Sequence, residues 1–406
     1  MTAPAYTGLS SPEAIADPYP YYAWLREHAP VHHDTAADVW VVSRHEDVMA
    51  VVRDHARFSS HQGLPVDNDP FNPNPAPPWA AVVLRRVQSV RVLLTTDPPD
   101  HTMLRRRVAK AFTPRRIAAW EPRIRQVADE LVARMAERGG PADLVRDLAS
   151  PLPTTIIAEL MGIPAERHRD FKRWSDQLID GLFTGGSRAG MMRGLAAISW
   201  FFLRTVRRRR REPGDDLISL LTAEGDEPLT APELVTFCVL LLVAGNETTT
   251  NLVSSAMAAL FARPEQWARI VADPSLAEAA VEEALRFDGP AQGLLRIATT
   301  DVVMAGVTIP AGARVLVLLG SANRDPARWE SPDEFLLDRP NTRDHLAFGT
   351  GIHYCIGHLL ARMEARAALE ALARRLPDLS PAGPPTRMTS PVLRGLRTQP
   401  VRLSPP

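Results

Sequence analysis

Phe348-Gly349-Thr350-Gly351-Ile352-His353-Tyr354-Cys355-Ile356-Gly357 is the stretch on which the reading of this chain turns. Its glycines let the backbone bend sharply and let something bulky approach it. Cys355 stands just before an amphipathic run, His358 to Leu376, whose periodicity predicts a helix. The thiol is thereby expected at a helix N-terminus, where free N–H groups and the positive dipole end favour the thiolate, the form that binds a soft metal or attacks an electrophile. Taken alone, the cysteine is open to other readings: a small buried hydrophobe, a structural zinc ligand, or a nucleophile with His353 as its base. Zinc would need several Cys and His ligands at short spacing, and the other cysteine, Cys238, lies in an apolar run far upstream.

The decapeptide resembles the haem-binding loop of the cytochrome P-450 family, Phe-Gly-x-Gly-x-His-x-Cys-x-Gly, at every fixed position. The resemblance implies haem b (iron protoporphyrin IX) with Cys355 as the proximal thiolate on iron. It also implies that His353 donates to a haem propionate, that Phe348 packs near the sulfur, and that Gly357 belongs to the same loop. An anionic sulfur pushes electron density through iron and favours O–O cleavage. The implied architecture is mainly α with a small β region, the triangular haem-thiolate domain of that family.

Upstream, Thr230-Ala-Pro-Glu233 reads as a capping box opening a helix that runs to about Ala262, roughly 48 Å at the usual rise. Its middle, Ala244-Gly-Asn-Glu-Thr-Thr-Thr250, sets a glycine, a carboxylate and β-branched hydroxyls inside an apolar helix, against both propensity and setting. Packing explains Gly245 but not an acid two residues on. The segment resembles the family's Ala-Gly-x-(Asp/Glu)-Thr signature, which implies Glu247 and Thr248 as an acid–alcohol pair. Dioxygen activation consumes protons, so a hydroxyl must hold the oxygen and a carboxylate must relay protons from water. Small Ala244 and Gly245 leave room beside the cofactor.

Other matches follow in family order. In Asp97-Pro-Pro-Asp-His-Thr-Met-Leu-Arg-Arg-Arg107, His101 and Arg105 are four apart and share a helical face. A solvated basic helix would look the same; the match to His-x-x-x-Arg implies that both grip propionates, which suits the arginine fork. Arg296 fits the family's further propionate-binding arginine, with Gln292, Leu294 and Leu295 facing substrate and Val392 and Leu393 as a last pocket wall. Glu283 and Arg286, an i,i+3 pair, match Glu-x-x-Arg, with Arg339 as the third and structural member.

The remaining signals are scaffold. Asp17 to Arg26 reads as a turn into a short helix, Val39 to Ser43 as a strand, and Ser43-Arg-His-Glu46 as a capping box for a helix over His45 to Asp54. Val302 to Ile309 and Val315 to Leu319 read as strands of one small sheet around Pro310-Ala-Gly312. Six prolines between Gly63 and Pro78 exclude a regular helix there. The family places its substrate-roofing loop at this point; Phe71, Trp79, Val82 and Val83 are candidate pocket residues, with packing away from the pocket the alternative for each. The family's F and G helices would fall between Phe171 and Trp200, with Gly181 to Gly186 as a lid element. Arg207 to Arg211 precede Glu212-Pro-Gly, so cations at a helix C-terminus account for them more simply than nucleic acid does.

At 406 residues and 45% hydrophobic content, with no Gly/Ser linker, the chain reads as one domain over 1–406. Lys+Arg and Asp+Glu are both 47, so no global field draws nucleic acid or an anionic membrane. Two cysteines suit a reducing cytoplasm, the N-terminus has no basic region followed by an apolar core, and the run Phe237 to Ala244 is too short to span a bilayer. The resemblance then implies a soluble, monomeric, cytoplasmic monooxygenase. It would draw electrons from ferredoxin and a ferredoxin reductase and insert one atom of O2 into an apolar organic substrate. A peroxide-driven peroxygenase and a non-catalytic haem sensor are the alternatives, and Glu247 with Thr248 speaks against both. Arg106, Arg107, Arg115, Arg116 and Arg362 are the expected docking patch for the electron donor.

Overall fold

The computed structural model of the chain describes residues 8–61, 91–183, 187–223 and 229–403. Phe71, Trp79, Val82 and Val83, with the proline-rich stretch before them, lie outside the described residues, as do 184–186 of the expected lid. The helices that position the site are α1 (Tyr19–His28), α2 (His45–Arg53), α3 (Asp100–Ala109), α4 (Pro114–Ala118), α5 (Glu121–Arg138), α6 (Pro151–Leu160), α7 (His168–Phe183), α8 (Arg188–Arg211), α9 (Ala231–Phe261), α10 (Ala277–Asp288) and α11 (His358–Arg375). The strands are β1 (Val31–Asp34), β2 (Val39–Val42), β3 (Phe58–Ser59), β4 (Gly293–Ala298), β5 (Val302–Met304), β6 (Val307–Ile309), β7 (Arg314–Leu318) and β8 (Leu396–Thr398).

Helix α9 is the axis of the helical part. Its capping box forms as read: the Thr230 hydroxyl takes the Glu233 N–H, and Glu233 returns a carboxylate oxygen to the Thr230 N–H at 2.8 Å. By length and composition α9 could cross a membrane. Here it packs against α6, α7, α8, α10 and α11 in the largest apolar cluster, which gives its hydrophobicity an interior use.

A five-stranded sheet in the order β1-β2-β7-β4-β3 is the largest of four small sheets among the described residues. Strand β2 pairs parallel with β7, Trp40 opposite Val315, and β7 pairs antiparallel with β4, Val315 opposite Arg296. The expected single sheet over 302–319 is instead two units. β5 and β6 form a separate hairpin because Ala305 and Gly306 both take positive φ, 47° and 78°, and turn the chain back on itself. The expected capping box of α2 is also corrected. Ser43 Oγ donates to Pro30 O, and Asp325 Oδ2, far away in sequence, accepts the His45 N–H at 2.8 Å. A tertiary carboxylate has replaced the local cap.

Glu283, Arg286 and Arg339 meet as read, and deep inside. The side chains of Glu283 and Arg286 are 0% exposed. Arg286 clamps the carboxylate at 2.9 and 2.7 Å, and Arg339 Nε adds a third bond at 2.9 Å. Arg286 also donates to the carbonyls of Asn323, Pro332 and Glu334, so the triad ties α10 to the segment leading into the Cys355 loop. Asn323 completes the tie by accepting the Leu346 N–H at 2.7 Å.

Candidate active site

The Cys355 loop closes on itself through two backbone bonds, Gly349 N to Leu346 O at 2.8 Å and Cys355 N to Phe348 O at 2.9 Å. Gly349 and Gly351 sit at φ of 67° and 69°, the left-handed region that a side chain resists. Gly357 has φ −87°, so conformation does not demand glycine there; a Cβ at that point would meet no atom within 4 Å. The Phe348 ring packs against Tyr354 and His358 on either side of the cysteine, under the Arg362 guanidinium at 4.5 Å.

The N–H groups of the helix end do favour the Cys355 thiolate, but a larger influence opposes them. Burial raises the Cys355 thiol above its usual range, although the N–H groups of Gly357 and His358 and the charges of Arg105 and Arg362 pull the other way. Desolvation wins, so a bound cation is what would make the sulfur anionic.

Basic groups converge on this loop from two elements, beside its own His353. Helix α3 brings the His101 ring within 4.3 Å of the His353 ring, and Arg105 lies one turn further along. Strand β4 brings Arg296, 5% exposed, which donates to its neighbour's carbonyl, Leu295 O, at 2.8 Å. His353 Nε2 lies 2.9 Å from Ser60 Oγ; burial, then His101 and Arg296, push its pKa down to about 3, so the ring is neutral. Burial also lowers Arg296 and Arg105. The buried Nε2 of His101 has no hydrogen-bond partner among the described residues.

A buried guanidinium, a half-buried one and an orphaned imidazole nitrogen beside one thiol are costly unless an anion meets them. A flat group carrying two carboxylates and a thiophilic metal fits this donor set, and haem b is such a group. The open space over Gly357 fits it as well.

Helix α9 presents its middle turn, Ala244 to Thr248. Ala244 is exposed and Gly245 half-buried, although the same helix is buried on both sides of them. Thr248 Oγ1 donates to Ala244 O at 2.6 Å rather than to Glu247. Burial raises the Glu247 carboxyl to about 7; Asp180 and Asp176 push in the same direction, while a bond from Asn251 and the charge of Arg397 oppose. A carboxyl poised there can hold and release a proton at neutral pH.

Gln292 is corrected. It is 2% exposed, donates to Gly289 O and packs on Gly320, where an added Cβ would come within 2.1 Å of its amide oxygen, so it is scaffold. Leu294 approaches the loop at Gly349, and the chain at 291–292 is joined to 392–393 by backbone pairing. Arg362 leaves the docking patch: it is engaged by Glu282 at 2.5 and 3.0 Å. Arg106, Arg115 and Arg116 are exposed and Arg107 half-exposed.

Three residues were missed from sequence. Asn246 and Asn251 are buried in α9, and Glu364 in α11 is 2% exposed, bonded to Thr249 and raised by burial to about 8. The available signal was polarity at positions of a core-facing helical period.

A model of the family described as Cytochrome P450 matches residues 195–400. The chain is 39% identical to Cytochrome P450 monooxygenase PikC of Streptomyces venezuelae, across 97% of this chain and 93% of that protein. Among solved structures, cytochrome P450 CYP109Q5 from Chondromyces apiculatus superposes with a TM-score of 0.85 at 40% identity, covering 97% of each chain. CYP109E1 from Bacillus megaterium, solved in complex with testosterone, gives 0.84 at 34% identity over 96% of this chain and 99% of that one.

Proposed function

The chain belongs to the cytochrome P450 family as a haem b monooxygenase of the bacterial kind, and on that premise we propose that it oxygenates an apolar substrate at the Cys355 site with electrons from a ferredoxin and its reductase. The observation that supports the assignment of residues is the convergence of His101, Arg105 and Arg296 on the loop of His353 and Cys355, with Glu247 and Thr248 on the partly exposed middle turn of α9. When bound, haem supplies the iron at which O2 is cleaved, one atom passing to substrate and the other to water.

In this reading Cys355 Sγ holds the iron, and Arg105, Arg296 and His101 hold the propionates, with His353 donating to one of them. Ala244 and Gly245 leave space for dioxygen. Thr248, whose hydroxyl rests on Ala244 O, would offer it as a hydrogen-bonding group at the dioxygen site, and Glu247, its carboxyl near 7, would take up protons from water and pass them on. An apolar substrate is supported by half-buried Leu294 beside the loop and by the testosterone in the CYP109E1 structure. Full-length likeness to the solved neighbours supports one domain over 1–406, which the reading takes to act as a cytoplasmic monomer. The electron donor would dock on Arg106, Arg107, Arg115 and Arg116, at the end of α3 and the start of α4.

Single turnover of the reduced holoenzyme with isotopically labelled O2 and a steroid and fatty-acid panel tests this. Labelled oxygen is expected in product. Product that forms only with added hydrogen peroxide, or a haem spectrum no panel compound perturbs, would remove the reading.

A further inference from the structure

The acid–alcohol signature leaves one position open, and in this chain Asn246 fills it. Its side chain is 2% exposed and points away from the site. There it meets two other helices: its Oδ1 lies 2.9 Å from Thr154 Oγ1 of α6, a hydroxyl that also faces Ser150 O at 2.7 Å, and its Nδ2 donates to Ser175 Oγ of α7 at 3.4 Å. Thr250 Oγ1, a turn further on, lies 3.5 Å from the same Oδ1 and also donates to Ala149 O at 3.2 Å. Thr154, Ser175 and Thr250 are 5%, 0% and 5% exposed. Interchanging the amide atoms keeps the same three partners.

Leucine, which shares the branched shape, would fill the site without partners. What the amide adds is direction, because hydrogen bonds fix angle as well as distance and a dry network is stiff. Ser175 stands one residue before Asp176, and with Asp180 that acid faces Glu247 from α7. Asn246 is the residue before Glu247 and two before Thr248, so a shift of α7 reaches both through one backbone turn.

We propose that Asn246 is a positioning residue that transmits the placement of α7 to Glu247 and Thr248. The link rests on the reading of those two residues as the proton-delivering pair. It makes the acid's readiness depend on how α7 lies over the site.

The test follows Glu247 in the holoenzyme by the infrared band of its carboxyl, assigned by loss in Glu247→Gln, without turnover. The groups facing that carboxyl are Asp176 and Asp180 on α7, Arg397 on β8 and Asn251 on α9. Ser175→Ala frees α7, admits water and moves the two aspartates off, so the titration midpoint should fall by about half a unit or more. Amide exchange over 244–248 should quicken by about tenfold. Asn246→Leu should match both changes, and the double variant should go no further than the larger single one. Ser175→Thr, which keeps the hydroxyl, should restore the wild-type midpoint. An unmoved midpoint in Ser175→Ala, or additive shifts in the double variant, would overturn the link. Should Asn246→Leu fail to fold, the two Ser175 variants decide alone. Fully coupled turnover in Glu247→Gln would instead sink the proton-delivery reading and leave the mechanical link measurable.

Discussion

Cys355 is held between opposing influences, burial against oriented N–H groups and two guanidinium charges, and burial prevails in the protein alone. Its chemistry is therefore completed by what binds it. Cys355→Ala should abolish the thiolate-type spectrum of the carbon monoxide complex, and a retained thiolate band would move the ligand elsewhere. Thr248 makes the complementary case, because its hydroxyl rests on Ala244 O and is free to turn. Thr248→Ala should cut product per electron by roughly tenfold or more and release the difference as hydrogen peroxide. Unchanged coupling, measured as product against electrons consumed, would take Thr248 out of the mechanism.

Between elements, buried charge does two different things. Glu283 is fully met by Arg286, Arg339 and the Leu336 N–H, so removing it strands two cations in the interior. Glu283→Ala should cost about 3–5 kcal/mol in denaturant unfolding and loosen the segment that carries the cysteine loop. A loss under 1 kcal/mol would show that water relieves the triad. Glu364 joins α11 to α9 as a neutral acid on Thr249, its pKa raised from 4.5 to about 8. The folded protein then keeps a proton that the unfolded chain releases, so stability should fall as pH rises through that window and level off above it. Glu364→Gln should flatten that slope, gaining up to about 3 kcal/mol at pH 7. Parallel pH–stability curves for the two proteins would contradict the buried neutral form.

At the scale of the whole molecule, net charge is zero, so association with an electron donor depends on a local patch. Reversing Arg106, Arg115 and Arg116 to glutamate should slow electron delivery at low salt by about tenfold and remove most of its salt dependence. Kinetics indifferent to both changes would place docking on another face. The sequence by itself determined the cysteine, its glycine-framed loop, the capped long helix and the order of the basic and acidic motifs, because each is a local pattern with a local physical cause. Tertiary structure alone decided which charges stay unpaired, that Asp325 rather than Ser43 caps α2, that Gln292 and Arg362 are scaffold, and that burial outweighs the helix end at Cys355. Desolvation and pairing depend on what distant segments bring alongside, and no window of sequence contains that neighbourhood.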